Sequence, residues 1–188
     1  MSRHDPLHVT MRVGVGIDDL RGPVMFHAVK TAILAGADRF GTRIIEFSVQ
    51  FDHVHLIVEA PNNAALTSAM RGLCVRLARA INNVMGRKGN VFPDRYHVRA
   101  LRSPREIRSA LIYVLCNRRK HECGRGLYYA RDWLDPCSSA RNFSGWRGVD
   151  SADIAPRELP APQSWLLKQQ YWKKDIKTNS MPKVSKRR

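Results

Sequence analysis

Four stretches of this chain alternate apolar and polar positions with period two, and three longer ones repeat apolar residues at helical spacing. His8–Val15 reads as a first strand. Pro23 suits the first turn of a helix, and Phe26, Val29, Ile33 and Ala37 mark one face of a helix over Pro23–Asp38. Gly41 ends it. Arg43–Gln50 and Asp52–Ala60 follow as strands joined through Phe51-Asp52 by a tight hairpin or a bulge. Asn62-Asn63 offers an N-cap for a second helix, with Leu66, Met70, Leu73, Leu77 and Ile81 as its buried stripe and Gly86 and Gly89 at its close. Arg95–Leu101 alternates as a fourth strand. The order β-α-β-β-α-β predicts an α+β, ferredoxin-like antiparallel sheet with two helices on one face.

A third helix follows, marked at its start by a capping box, Ser103-Pro104-Arg105-Glu106, with Pro at the first helical position. Ile107, Leu111, Val114 and Leu115 form its apolar stripe, and Tyr113, Asn117 and His121 are i, i+4 neighbours along one flank. Beyond Gly124 the pattern thins. Three segments are expected: a catalytic domain over 1–124, an irregular aromatic extension over 125–150, and a Pro-containing linker, short helix and basic tail over 151–188.

Charge changes the picture more than size does. The 188 residues include 32 Lys+Arg against 16 Asp+Glu, a net +16, and 151–188 carry only +6 of it. The folded part is therefore itself basic and calls for a polyanionic partner, most often nucleic acid. No segment resembles a secretory signal or a membrane span, which predicts a cytoplasmic protein with no membrane partner. Cys74, Cys116, Cys123 and Cys137 form no CxxC pair and read as free thiols; Cys116, His121 and Cys123 fit no common zinc spacing.

The candidate chemistry begins in the third strand. Alternation puts Val54, Leu56 and Val58 on one face and His53, His55, Ile57 and Glu59 on the other. The two imidazoles then point the same way, roughly 6–7 Å apart along the strand. Two histidines on a strand are more often solvated or merely packed than ligands, so the rest of the constellation decides. With two helices on the Val54 face, the third helix is left to cover the histidines, and it brings Tyr113 and, one turn on, Asn117. Two imidazoles, an amide oxygen and waters suit Mg²⁺ or Mn²⁺ better than structural zinc. Such an ion polarises a phosphodiester, and Tyr113 is placed to be a nucleophile, although a tyrosine beside a core stripe is usually packing.

These residues resemble the REP-associated tyrosine transposases, a branch of the single-tyrosine HUH transposases of the bacterial insertion-sequence type. Phe47–Ala60 is similar to the HUH strand, Val91–His97 to the segment entering the last strand, and Tyr113-Val114-Leu115-Cys116-Asn117 to the nucleophile helix. Asp135–Ala140 and Trp165–Trp172 are similar to C-terminal features of one branch. The resemblance implies nicking and rejoining of single-stranded DNA near a hairpin, through a 5′-phosphotyrosine on Tyr113 and a divalent cation held by His53, His55 and Asn117. Insertion-sequence relatives usually carry Gln at the Asn117 slot, and many of this branch follow the Asn with Pro where this chain has Arg118.

Arg95, Arg99, Arg118, Arg119 and Lys120 are expected to contact nucleic acid, with Arg118 and Arg119 first because they follow Asn117 directly. The partner implied is hairpin-bearing single-stranded DNA, bound by a monomer or a homodimer. The alternative is a non-catalytic single-stranded nucleic-acid-binding protein of the same fold, which needs neither the histidines nor the tyrosine. An RNA-binding domain of this fold would need exposed sheet aromatics where the third strand has histidines.

Overall fold

The computed structural model describes residues 5–123, 126, 128–130 and 132–180. Its elements follow in the order β1 (Leu7–Arg12), α1 (Pro23–Ala35), β2 (Asp38–Arg39), β3 (Thr42–Val49), β4 (His53–Glu59), α2 (Asn63–Val84), β5 (His97–Ala100), α3 (Pro104–Cys123) and α4 (Trp165–Lys173), with 3₁₀ turns at Ser139–Asn142 and Ser151–Asp153. The antiparallel sheet runs β2-β3-β4-β1-β5. Without the two-residue β2, this is the ferredoxin-like order expected from the sequence. β2 was not foreseen: Asp38 and Arg39 simply pair back on Arg43 and Thr42 across a two-residue turn. The last strand starts at His97 rather than Arg95, because its pairing to β1 begins at Thr10↔His97.

The sheet separates two apolar layers. On one side Val54, Leu56 and Val58 pack under α1 and α2, which bury Met25, Val29 and Ile33 and Leu66, Met70, Leu73 and Leu77. Each such side chain stabilises the fold by about 1.5–3 kcal/mol relative to exposure. Asn62 caps α2 by accepting from the Ala65 N–H at 2.8 Å. On the other side Ile45 and Ile57 meet Ile107, Leu111, Val114 and Leu115 of α3, together with Phe143, Trp146 and Leu167 from the C-terminal part. α3 starts as its capping box predicts: Ser103 Oγ accepts from the Glu106 N–H, and Glu106 reaches back to the Arg102 N–H at 2.7 Å.

A bulge between Ile44 and Glu46 shapes the second layer. Ile44 faces α1 and α2, whereas both Ile45 and the fully buried Glu46 serve the α3 side. Glu46 accepts from Ser139 Oγ, Tyr171 Oη and, at 3.1 Å, the Arg157 guanidinium. Burial drives its carboxyl up from the ordinary value, against the pull of Arg157 and the two hydroxyls. Arg157 also donates to the Ile45 and Pro160 carbonyls, so the Pro-containing stretch after residue 151 is fastened to the sheet at Arg157. The Asp135–Ala140 segment covers the far end of β3: Arg21 grips Asp135 at 2.7 and 3.0 Å, and the Val49 N–H donates to the Cys137 carbonyl at 2.8 Å.

Candidate active site

Strand register builds the site. β1 pairs with β4 as Thr10↔His55 and Arg12↔His53, and with β5 as His8↔Arg99 and Thr10↔His97. His8, Thr10 and Arg12 therefore share a face with His53 and His55, and Arg99 borders them. α3 lies over this face and sets Tyr113 against it.

The rings form one cluster. His53 and His55 lie edge-on with centroids 4.6 Å apart, and Tyr113 stands 4.9 Å from His55 and 5.6 Å from His8. The two β4 histidines are each braced through Nδ1. His53 Nδ1 lies 2.6 Å from Asp52 Oδ1, and Asp52 is itself paired with Arg12 at 2.9 Å. Burial works against the Asp52 charge, but the His53 hydrogen bond and the Arg12 guanidinium outweigh it and hold the carboxyl below its ordinary value. His55 Nδ1 lies 3.0 Å from Thr10 Oγ1 and 3.3 Å from His8 Nε2. Burial, with Arg99 adding to it, lowers His8 to about 4 and keeps that ring neutral. A Nδ1 partner fixes the tautomer and turns Nε2 toward ligand duty, the arrangement that metal-binding histidines use.

Asn117 sits one helical turn past Tyr113 and is 1% exposed. Its Oδ1 and Nδ2 are both buried without a hydrogen-bond partner among the described residues. A buried unpaired amide costs about 1–3 kcal/mol, so it needs a reason to stay. A cation beside the two histidines would supply one, and two imidazoles with an amide oxygen are donor types that suit Mg²⁺ or Mn²⁺ completed by water. Among the described residues no three His, Cys, Asp or Glu side chains gather into a metal site. Tyr113 is half-buried, and desolvation raises its phenol above the ordinary value of 10.

The cationic residues divide. Arg118 pairs with Glu122 and lines a cleft of about 450 Å³ with Arg12, Gln50 and His53. Arg99 is exposed, bonded to Glu106 at 3.0 Å, at the rim beside His8; Arg95 is exposed as well. Arg119 differs from expectation. It is 8% exposed, donates to the Tyr129, Ala130 and Trp133 carbonyls at 2.8–3.0 Å, and lies over the Trp133 ring. It points into the fold and clasps Tyr129, Ala130 and Trp133 rather than facing the cleft, because two residues along a helix turn it about 200° from Asn117's side. The side chains of Lys120 and His121 lie outside the described residues. Sequence reading missed His8, Thr10 and Asp52 as supports; only pairing between distant strands brings the first two to His55.

Comparison with known proteins places the chain in a family. Residues 18–114, just over half of the chain, match the family described as "Transposase IS200 like". The chain belongs to this family of IS200-like transposases. A solved structure of a REP-associated tyrosine transposase bound to a REP hairpin shares the fold, with a TM-score of 0.57, 16% identity, and coverage of 86% of this chain and 91% of that one. A second structure, of a protein from Deinococcus radiodurans R1 described as a transposase, aligns at a TM-score of 0.45 and 14% identity over 69% of this chain and 95% of its own. No curated protein matches. Among the described residues, no helix is long and apolar enough to cross a membrane.

Proposed function

We propose that this chain nicks and rejoins single-stranded DNA at hairpin-associated sites through a covalent 5′-phosphotyrosine on Tyr113, with Mg²⁺ or Mn²⁺ held by His53, His55 and Asn117. One observation carries the reading: a tyrosine in ring contact with His55, which lies edge-on to His53, both imidazoles being braced through Nδ1, and one helical turn before a buried amide unpaired among the described residues. Membership of a transposase family supports the same class of chemistry. A fold relative bound to a REP hairpin supports a hairpin as the substrate feature.

A cation held by His53, His55 and Asn117 would supply charge neutralisation at the phosphate, an effect worth roughly several kcal/mol. The protein supplies the rest. α3 and β4 hold the Tyr113 hydroxyl beside the phosphate, which replaces a bimolecular encounter by a fixed geometry. Tyr113 Oη forms a bond to phosphorus as the bond from phosphorus to the 3′ oxygen breaks. The phenol proton passes to solvent, and the departing oxygen takes up a proton to become a 3′-hydroxyl. Attack by a 3′-hydroxyl on the phosphotyrosine reverses the step and conserves the bond energy. Arg118 faces the cleft, and Arg95, Arg99 and Lys120 are the further candidates for the DNA backbone. The test is cleavage of a labelled single-stranded hairpin oligonucleotide with and without Mn²⁺: cation-dependent nicking is expected, and cation-independent nicking would remove the ligand assignment.

A further inference from the structure

The layer opposite Tyr113 carries a second cationic cleft. α2 buries its leucine stripe on the sheet, and its outer side places Arg71, Arg76 and Arg79 around a hollow of about 480 Å³ that Phe40 also lines. α2 contains no Asp or Glu. Among the described residues none of the three arginines has an ion-pair partner, and Arg76 donates only to the Gly72 carbonyl of its own helix, at 3.2 Å. Helix faces built only for solvation usually interleave charges of both signs; this one does not.

Phe40 is an independent observation. It is 63% exposed and takes a φ of +56°, next to Gly41 at +70°, in the two-residue turn between β2 and β3. Such a turn favours Asn, Asp or Gly, and a phenylalanine there costs on the order of 1–2 kcal/mol. The ring lies over Gly72: a Cβ at that glycine would stand 3.8 Å from Phe40 Cε2 and 3.2 Å from Arg76 Nη1. An exposed aromatic in a strained backbone, among guanidiniums with no acidic partner among the described residues, has the parts of a single-strand site: a ring for an unpaired base and cations for phosphates.

We propose that this outer face of α2 is a second binding surface for single-stranded nucleic acid, with a base stacked on Phe40 and phosphates on Arg71, Arg76 and Arg79. Arg71 and Arg79 stand about 12 Å apart along the helix, a length over which a strand at the duplex rise of about 3.4 Å presents three or four phosphates. Phe40 decides for a single strand, because a paired and stacked base offers it no face. Only the choice of nucleic acid rests on the reading of the site as a DNA enzyme; the surface itself does not use Tyr113. A strand engaged there would be retained on one side of the sheet while its cleavable phosphate is presented on the other.

The experiment is fluorescence anisotropy of the full chain with a labelled oligothymidylate of about 30 nucleotides, titrated at several salt concentrations from about 50 to about 200 mM. With Arg71→Ala, Arg76→Ala and Arg79→Ala combined, affinity at low salt is expected to fall at least about tenfold, and the log–log salt slope to shrink by about 2, close to three contacts at about 0.7 each. Phe40→Asn, which suits the left-handed backbone, is expected to keep or raise Tm and to weaken binding severalfold. Tyr113→Phe is expected to bind like wild type, so failure of the catalytic reading leaves this result intact. Unchanged affinity and slope in the arginine variant would overturn the proposal. So would wild-type binding by Phe40→Asn, or tighter arginine-dependent binding of a duplex.

Discussion

The Tyr113 ring stands edge-on to the His55 ring, with centroids 4.9 Å apart and planes at 75°, so α3 delivers its tyrosine directly onto the strand that carries the histidine pair. The contact uses the face of the helix next to Leu111 and Val114, which are fully buried and fix the helix over the sheet. The Tyr113 hydroxyl makes no hydrogen bond among the described residues. Tyr113→Phe is therefore expected to change stability by no more than about 0.5 kcal/mol, as read from urea midpoints. A larger loss would mean that the hydroxyl has a structural role.

Thr10 has no place in the chemistry except through His55 Nδ1, 3.0 Å from its hydroxyl. Thr10→Val keeps the shape and removes the partner. Loss of such a support typically weakens cation affinity by about 10–100-fold. Calorimetric titration with Mn²⁺ should show that weakening, with the fold intact by circular dichroism; equal Mn²⁺ affinity would remove Thr10 as a support of His55.

Asn117 makes an opposite pair of predictions. Its amide is buried and unpaired among the described residues, so Asn117→Leu is expected to raise stability without added cation, by about 1–3 kcal/mol. The same change should abolish the rise in Tm that Mn²⁺ gives the wild type. Thermal melts with and without Mn²⁺ measure both. Destabilisation of the variant without cation would show that the amide already has a structural partner.

Glu59 ties the C-terminal segment to the sheet. Its carboxylate accepts from the Gln163 and Ser164 N–H groups at 2.8–2.9 Å and from Arg43 at 2.8 Å. Burial alone would raise its pKa, but these hydrogen bonds win and hold it below the ordinary 4.5. With the folded value depressed, the stability from these contacts is complete above the ordinary value and is lost as pH falls through the folded one. Glu59→Gln should thus be less stable than wild type at neutral pH, by about 1–3 kcal/mol, and the two should converge in acid. Denaturant midpoints across a pH series check this, and a gap that stays constant into acid would contradict it.

Much of this architecture was legible because it is local. Period two in Asp52–Ala60 sorted His53 and His55 from Val54, Leu56 and Val58, and a one-residue slip would have exposed that apolar set. Helical spacing put Tyr113 and Asn117 on one side of α3, and the capping box set its start. What escaped depends on pairing across the chain. His8 and Thr10 reach His55 only through the β1–β4 register. The Glu46 network needs a bulge that puts Ile45 and Glu46 on the same side, and then Arg157 and Tyr171 from more than a hundred residues away. Arg119 was misjudged because adjacency to Asn117 in sequence becomes a turn of about 100° per residue on a helix, which aims consecutive arginines differently.

The central claim is that Tyr113 becomes covalently joined to the 5′ phosphate of cleaved DNA. Incubation of the protein with a hairpin-bearing single-stranded oligonucleotide and Mn²⁺, followed by denaturing electrophoresis and peptide mass spectrometry, tests it directly. The account predicts a denaturant-resistant adduct whose added mass maps to Tyr113, absent without divalent cation and absent in Tyr113→Phe. No adduct from the wild type across varied hairpins would contradict it and leave a non-catalytic DNA-binding protein of this fold; an adduct mapped to another residue would contradict the assignment of the nucleophile.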